Sequence, residues 1–185
     1  MKSPSLLQAD SEPLCLDTSV VINLVASGRI AEIARAIKRP LLVEEQVMRE
    51  MKRDPRDGSD GVTLMRRLTG DGVLKMIAMN DAQLEQFVNL VGAPTPDDLG
   101  DGEAATLAIA IPDGCAAIDE NKARRIAARD HKDLRVYWSL DIICCREVVS
   151  ALGNQIIADS VASGLTLGRM RVPLGWREYV QKLAT

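Results

Sequence analysis

Aromatic side chains are scarce in this sequence, which has two Trp, two Tyr and one Phe and is only 3% aromatic. A base-stacking platform for single-stranded nucleic acid is therefore not expected, because such platforms depend on aromatic rings. The single histidine, His131, lies in a polar stretch, and the sequence contains neither G-x-S-x-G nor a Cys–His arrangement. Nucleophilic acyl chemistry is accordingly disfavoured.

The sequence also lacks an excess of positive charge, because 26 Asp and Glu outweigh 23 Lys and Arg and leave a net charge of −3. This excludes the broad basic surface that dominates non-specific DNA binding, so any contact with nucleic acid has to be local or bridged by a cation. The four cysteines form no C-x-x-C pair, and the N-terminus lacks the apolar region of a signal peptide. No apolar run reaches the roughly 20 residues of a membrane span. These absences predict a protein of the reduced cytoplasm without a membrane span.

Short apolar runs alternate with helical patterns along the 185 residues. Five runs are typical of buried strands, namely LCLD, LLV, VLKMIAM, CAAID and RVYW. Helical stretches separate them, so we expect a parallel sheet covered by helices on both faces. One helix is expected to end at Pro112, and another to run unbroken through SLDIICCREVVSAL. We expect one domain over residues 1–185, with a flexible segment at 1–12 and a helical tail at 153–185.

Two aspartates stand at the ends of predicted strands, Asp17 after the first and Asp119 after the fourth. Each of them alone is better explained as a helix N-cap. In an open parallel sheet, however, ligands bind outside the carboxyl ends of the strands, where the strand order reverses. If the first and fourth strands are neighbours there, the two carboxylates face each other and repel unless a proton or a cation intervenes.

Two glutamates are placed where they could join this pair. Glu103, in the first turn of GEAATLAIAI, falls at the margin of the apolar stripe of its helix, as does Glu50 late in EEQVMREMKR. The alternative interpretations stay open, a first-turn acid favoured by the helix dipole and a solvated surface glutamate. Asp101 is expected to cap the helix of Glu103 and is kept as an accessory candidate. Arg124, close to Asp119, could meet a phosphate.

The order of these segments resembles that of the PIN-domain ribonucleases, particularly the toxins of VapC-type toxin–antitoxin pairs. The segments that carry the resemblance are CLDTSVV, LLVEEQVMREM, LGDGEAATLAIA and AAIDENKARRIA, and it extends over nearly the whole chain from about Leu14. The resemblance implies a three-layer α/β fold, with a central parallel sheet of about five strands flanked by helices. It also implies that the first and fourth strands are central neighbours.

The resemblance further implies a set of site residues. The implied catalytic residues are Asp17, Glu50, Glu103 and Asp119. The implied metal ligands are Asp17, Glu103 and Asp119, with Glu120 as a possible further one. Relatives often carry two aspartates or Thr-x-Asp where this chain has Asp119-Glu120, so either residue could reach the metal, and Asp119 is preferred. Accessory or substrate-contacting candidates are Thr18, Ser19, Asp101 and Arg124.

Clustered carboxylates suit hard cations, chiefly Mg²⁺ or Mn²⁺. The activity implied by the resemblance is metal-dependent hydrolysis of RNA phosphodiester bonds. The implied partners are an RNA substrate, a second copy of the chain in a homodimer, and a small antitoxin protein. Two alternatives remain open, a non-catalytic PIN-like binding module and another Mg²⁺-dependent phosphoesterase. A haloacid-dehalogenase-like phosphatase is disfavoured, because Ser19 stands where D-x-D-x-T requires the second aspartate.

Overall fold

A five-stranded parallel sheet forms the centre of the computed structural model, which describes residues 3–7 and 12–183. The strands are β1 (Leu14–Leu16), β2 (Leu41–Glu44), β3 (Lys75–Ile77), β4 (Cys115–Ala117) and β5 (Arg135–Tyr137). Their order in the sheet is β3-β2-β1-β4-β5. Each predicted apolar run coincides with one of these strands, and β2 extends one residue beyond its run, to Glu44. The prediction that the first and fourth strands are neighbours is confirmed, with Leu16 opposite Ala117.

Helices cover both faces of this sheet and complete the predicted three-layer α/β fold. They are α1 (Thr18–Ala26), α2 (Ile30–Ile37), α3 (Glu45–Glu50), α4 (Gly61–Gly70), α5 (Asp81–Val91), α6 (Asp101–Asp113), α7 (Asn121–Asp130), α8 (Ser139–Ile143), α9 (Arg146–Leu152), α10 (Asn154–Leu167) and α11 (Arg177–Leu183). Within the described residues, no helix combines the length and the apolar character needed to cross a membrane.

The sheet separates two hydrophobic clusters, because successive side chains of a strand point to opposite faces. Leu14 and Leu16 of β1 enter the larger cluster, whereas Cys15 between them enters the smaller one. All three residues of β1 are fully buried. The central strand is therefore packed on both faces, and only its carboxyl end is left to carry functional side chains.

Several helix boundaries differ from the prediction, and the stretch EEQVMREMKR is helical only over Glu45–Glu50. Pro112 does not end α6, which continues to Asp113 and stops at Gly114, a residue in the left-handed conformation with φ of 79°. A proline in the last turn removes one backbone donor but leaves the preceding turns of the helix intact. The helix predicted over 139–152 is divided into α8 and α9, because Cys145 adopts an extended conformation between them. Both thiols at the break, Cys144 and Cys145, are buried in the larger cluster.

The described segments near the two ends of the chain, residues 3–7 and 154–183, contact the rest of the fold. The segment expected to be flexible, 1–12, lies in part outside the described residues, and residues 3–7 have no regular secondary structure. The Ser5 hydroxyl nevertheless donates to the carbonyl oxygen of Asp141 at 2.7 Å. In the tail, a short 3-10 helix (Leu174–Trp176) joins α10 to α11, and α10 packs against α1.

Candidate functional site

Asp17 lies at the carboxyl end of β1. Its backbone N–H donates to the carbonyl oxygen of Ala117 in β4 at 3.0 Å, which extends the strand pairing by one residue. Its carboxylate caps α1 and accepts from Ser19, at 3.3 Å from the backbone N–H and 2.5 Å from the hydroxyl. Burial raises the pKa of Asp17 to about 7, the Ser19 hydroxyl opposes this, and the charge of Glu103 adds to it. Asp17 is thus a helix cap whose ionised form is disfavoured by its surroundings.

Asp119 lies two residues beyond β4 and is also buried. Its carboxylate accepts from the Asn23 amide at 2.6 Å and, from Ser139, from the backbone N–H at 2.8 Å and the hydroxyl at 2.5 Å. Burial raises the pKa of Asp119, and these donors act in the opposite direction. The N-cap position of α7 belongs to Glu120, so the interpretation of Asp119 as the cap of that helix is wrong. Asp119 instead connects the end of β4 to α1 and α8.

The two glutamates come from α3 and α6, which are in contact. Glu50, the exposed last residue of α3, accepts a hydrogen bond of 2.5 Å from the hydroxyl of Thr18. A Cβ on Gly102 would lie 2.5 Å from Glu50 Oε2, so the absence of a side chain there lets Glu50 rest against the first turn of α6. Burial raises the pKa of Glu103, and the charges of Glu50 and Glu120 raise it further.

These acids form a group of like charges around Glu103, because Asp17, Glu50 and Glu120 all interact with it electrostatically. Their oxygen atoms are the ligands that Mg²⁺ and Mn²⁺ prefer, so the chemistry of the donor set fits a hard divalent cation. Over residues 3–7 and 12–183, however, no three His, Cys, Asp or Glu side chains are grouped so that they could hold a metal ion. Coordination of one cation by three of these acids therefore requires side-chain rotations from the positions seen here.

Of the accessory candidates, Thr18 and Ser19 use their hydroxyl groups to hold acids of the site. Asp101 is exposed and is the first residue of α6. The prediction that Asp101 caps this helix is wrong, because the N-cap position belongs to Gly100 and no side chain makes a capping hydrogen bond there. Asp101 instead adds negative charge to the first turn, where the helix dipole favours it.

Arg124 bridges the ends of β4 and β5. Its guanidinium donates to three carbonyl oxygens at 2.7–2.9 Å, those of Ile118, Val136 and Tyr137. Its Cζ atom also lies 3.7 Å from the centroid of the Trp138 ring, within the range of a cation–π contact. Burial lowers the pKa of Arg124, and the charges of Asp141 and Asp119 act against this. In this position the Arg124 side chain links the ends of β4 and β5 next to Asp119.

Three polar residues of the site were not identified from the sequence: Asn23, Ser139 and Arg171. Asn23 offered the clearest signal, because an amide inside the apolar stretch VVINLVA requires a buried partner. The signal from Ser139 was weaker, because a serine at the start of a helix is common and does not by itself indicate a functional site. Arg171 follows α10 and forms an ion pair of 3.1 Å with Glu120, and nothing in its local sequence distinguishes it.

Comparison with known proteins shows which family the chain is similar to. A family model described as a PIN domain matches residues 14–145. The match covers more than half of the chain, with all five strands and each of the sequence-predicted acids, whereas α9 to α11 lie beyond it. Neither the search of curated proteins nor the search of solved structures found a match. The extent of the family match, together with the sheet order and the acids at its carboxyl edge, establishes that this chain belongs to the PIN-domain family.

Proposed function

We propose that this protein is a metal-dependent endoribonuclease that hydrolyses RNA phosphodiester bonds. The observation that carries the proposal is the gathering of carboxylates around Glu103, among which burial raises the pKa of Asp17 to about 7. Such a group of mutually repelling acids is stabilised by a divalent cation. Membership of the PIN-domain family supports the proposal, since PIN domains are usually nucleases.

In this proposal Asp17, Glu103 and Asp119 hold Mg²⁺ or Mn²⁺, with Glu120 as the alternative to Asp119. The cation, when bound, offsets the repulsion among the acids and stabilises charge on the scissile phosphate. The chain's own residues orient the ligands. Ser19 fixes the Asp17 carboxylate through its hydroxyl, and Asn23 and Ser139 fix Asp119.

Glu50 completes the proposed catalytic set from the exposed side of the site. Thr18 donates to Glu50, and the bare Cα of Gly102 leaves room for the carboxylate beside Glu103. An exposed carboxylate held by a single hydroxyl can rotate toward a substrate at little cost. We therefore assign Glu50 to the substrate side of the cluster and Asp17 to its buried side.

We extend the proposal to a VapC-type toxin that acts on RNA in the cytoplasm, forms a homodimer and is inhibited by an antitoxin protein. The support for this finer assignment is the order and spacing of the four sequence segments. The cytoplasmic location is supported by four buried free cysteines, which persist in a reducing compartment.

A second candidate function is a PIN-like binding module without catalysis. It is favoured by the surroundings of Asp119, whose carboxylate is already bound by Asn23 and Ser139. It is also favoured by the lack, within the described residues, of three acids grouped to hold a metal ion. In this function the acids of the site stabilise helix ends and the sheet edge.

Cleavage of a mixture of structured RNAs separates the two candidates. The wild type, with Mn²⁺ and with EDTA, is compared with Asp17→Asn purified in the same way. The ribonuclease proposal predicts cleavage by the wild type with Mn²⁺ but not with EDTA, and a loss of about 100-fold or more in Asp17→Asn, because the substitution removes a charged ligand of the cation. Circular dichroism establishes that the variant remains folded. Intact RNA with a folded wild type supports the binding module, and cleavage by Asp17→Asn at the wild-type rate overturns the assignment of the site.

A further inference from the structure

The segment that follows α10 brings a positive charge to the rim of the acidic group. Arg171 Nη2 lies 3.1 Å from Glu120 Oε2, and Glu120 in turn interacts electrostatically with Glu103. The side chains of this pair are 54% and 36% exposed, so the guanidinium is reachable from solvent. Arg171 is therefore a partly exposed cation paired with one of the acids of the site.

The position of this segment is fixed by close packing on α1. A Cβ on Gly168 would lie 2.4 Å from Asn23 Oδ1 and 2.8 Å from the carbonyl oxygen of Gly164, so no side chain fits there without movement. The backbone N–H of Met170 donates to that same Gly164 carbonyl at 3.0 Å, and the Met170 side chain is buried in the larger hydrophobic cluster. Arg171 thus extends from a segment that is fixed immediately before it.

The same contacts link the segment to Asp119. The Asn23 amide nitrogen donates to Asp119 at 2.6 Å, while the oxygen of that amide lies against the backbone of Gly168. One buried amide therefore contacts both the post-strand acid and the segment that presents Arg171. This arrangement places the backbone that precedes Arg171 relative to Asp119, without any contribution from the Arg171–Glu120 ion pair.

The ion pair itself is easily exchanged. Exposed pairs contribute little, because solvent screens the attraction and both side chains lose conformational freedom. A guanidinium can exchange a carboxylate for a phosphate and form two parallel hydrogen bonds with it. An acidic site that has to admit an anionic chain gains from such a cation, since the local field otherwise repels the substrate.

We propose that Arg171 exchanges Glu120 for a phosphate of the RNA beside the scissile bond and so positions the substrate over the acids. This inference rests on the proposed ribonuclease function. Arg171 lies beyond residues 14–145, which the PIN-domain model matches, so the role belongs to the tail of this chain. Arg124 is less suited to it, because three carbonyl oxygens already bind its guanidinium.

The test compares Arg171→Gln and Arg171→Lys with Arg177→Gln, which removes the same charge from the exposed start of α11. Cleavage of a short RNA with Mn²⁺ is measured at several salt concentrations. We expect Arg171→Gln to raise KM about tenfold with little change in kcat. We also expect it to reduce the slope of log(kcat/KM) against log[salt] by about 0.7, the value for one phosphate contact on a single strand. Arg171→Lys should restore part of the affinity, and Arg177→Gln should match the wild type.

The possible failures are distinguishable. If the wild type cleaves RNA and Arg171→Gln has the KM and salt dependence of Arg177→Gln, the inference is wrong and the ribonuclease function stands. A fall in kcat with unchanged KM, accompanied by a lower melting temperature and no recovery in Arg171→Lys, would show a purely structural role and also overturn it. If the folded wild type cleaves no RNA, the proposed function fails and the inference fails with it.

Discussion

At the scale of single residues, the acids of the site differ in what surrounds them. Asp17 and Asp119 are buried at the carboxyl ends of β1 and β4, Glu103 is half-buried and Glu50 is exposed. Burial is the largest cause of the raised pKa of each of the first three. Folding therefore places carboxylates where their ionised forms are disfavoured, an arrangement that functional sites often use.

The first prediction concerns pH and the stability of the protein in EDTA. The ordinary pKa of Asp17 is 3.8, and its pKa in the folded protein is about 7. The folded state therefore binds the proton more tightly, so the contribution of Asp17 to the free energy of unfolding should fall as pH rises from about 4 to about 7. The shift corresponds to roughly 4 kcal/mol at most. Urea unfolding of the wild type at several pH values measures this fall.

Asp17→Asn is the matched control, because it keeps a side chain of similar shape that does not titrate. The difference in free energy of unfolding between the wild type and Asp17→Asn should follow the Asp17 contribution, because both proteins share the other titrating groups, such as Asp119 with a raised pKa and Asp54 with a lowered one. Equal pH dependence in the two proteins would exclude Asp17 as the source.

The second prediction concerns the hydroxyl that holds Asp119. Ser139→Ala removes a hydrogen bond of 2.5 Å to a buried carboxylate and should lower the free energy of unfolding by about 1–3 kcal/mol. Ser160 is a suitable comparison, because its buried Oγ has no hydrogen-bond partner in the described part of the chain. Ser160→Ala should be neutral or stabilising by up to about 1 kcal/mol, because it removes a buried hydroxyl for which the described residues supply no partner to compensate its desolvation. Urea unfolding of both variants measures the difference, and equal effects would show that the hydroxyl of Ser139 does not stabilise Asp119.

At the scale of elements, α4 begins and ends with a glycine, and only the first of these is closely packed. A Cβ on Gly61 would lie 2.1 Å from the carbonyl oxygen of Met51, directly after the helix that carries Glu50, whereas Gly70 has nothing within 4 Å. Gly61→Ala should therefore destabilise the protein by about 1–3 kcal/mol through overpacking against backbone. Gly70→Ala should be neutral or stabilising by up to about 1 kcal/mol, since alanine favours the helix.

Thermal and urea unfolding of the two alanine variants provide the measurement. Because the substitution is the same and both sites belong to α4, differences in the unfolded chain largely cancel. Similar effects on stability at the two positions would contradict the close approach of Gly61 to Met51.

The elements that the sequence predicted well are those determined by local pattern. All five strands coincide with short apolar runs. Asp17 and Asp119 are the polar residues at which two of these runs end, so their positions after a strand could be predicted from the sequence. The boundary at Cys145 could not be predicted in this way, since both parts of 139–152 have helical character and no glycine or proline marks the residue whose extended conformation divides them. The contact between Asn23 and Asp119 could not be predicted either. The two residues are 96 positions apart in the sequence, and their contact depends on how α1 is rotated against β4.

At the scale of the whole molecule, the hydrophobic core extends beyond the segment that matches the PIN-domain model. Trp176 and Tyr179 in the tail belong to the same cluster as Leu14 and Leu16 of β1, and their rings are in contact, edge to face at 5.6 Å between centroids. The sequence predicted a helical tail but did not show that it is part of the core. The segment that carries Arg171 is therefore built into the fold.

A truncation tests this structural role of the tail. A chain that ends at residue 145 loses α10 and its contact with α1, together with the buried side chains of Ile157, Val161 and Met170. The loss exposes the apolar face of α1 to water, and the truncated chain should show no cooperative unfolding. Circular dichroism during heating measures this. A cooperative transition at the melting temperature of the full chain would show that the tail is dispensable.

The central claim is that the acids at the carboxyl edge of the sheet bind a divalent cation, and calorimetric titration with Mn²⁺ tests it without reference to any RNA. The wild type should bind at pH 8 and about tenfold more weakly at pH 6, because a raised pKa near 7 makes Asp17 largely protonated there. Asp17→Asn, folded by circular dichroism, should not bind at either pH. Absence of binding by the wild type at millimolar Mn²⁺, or equal binding by Asp17→Asn, would contradict the account.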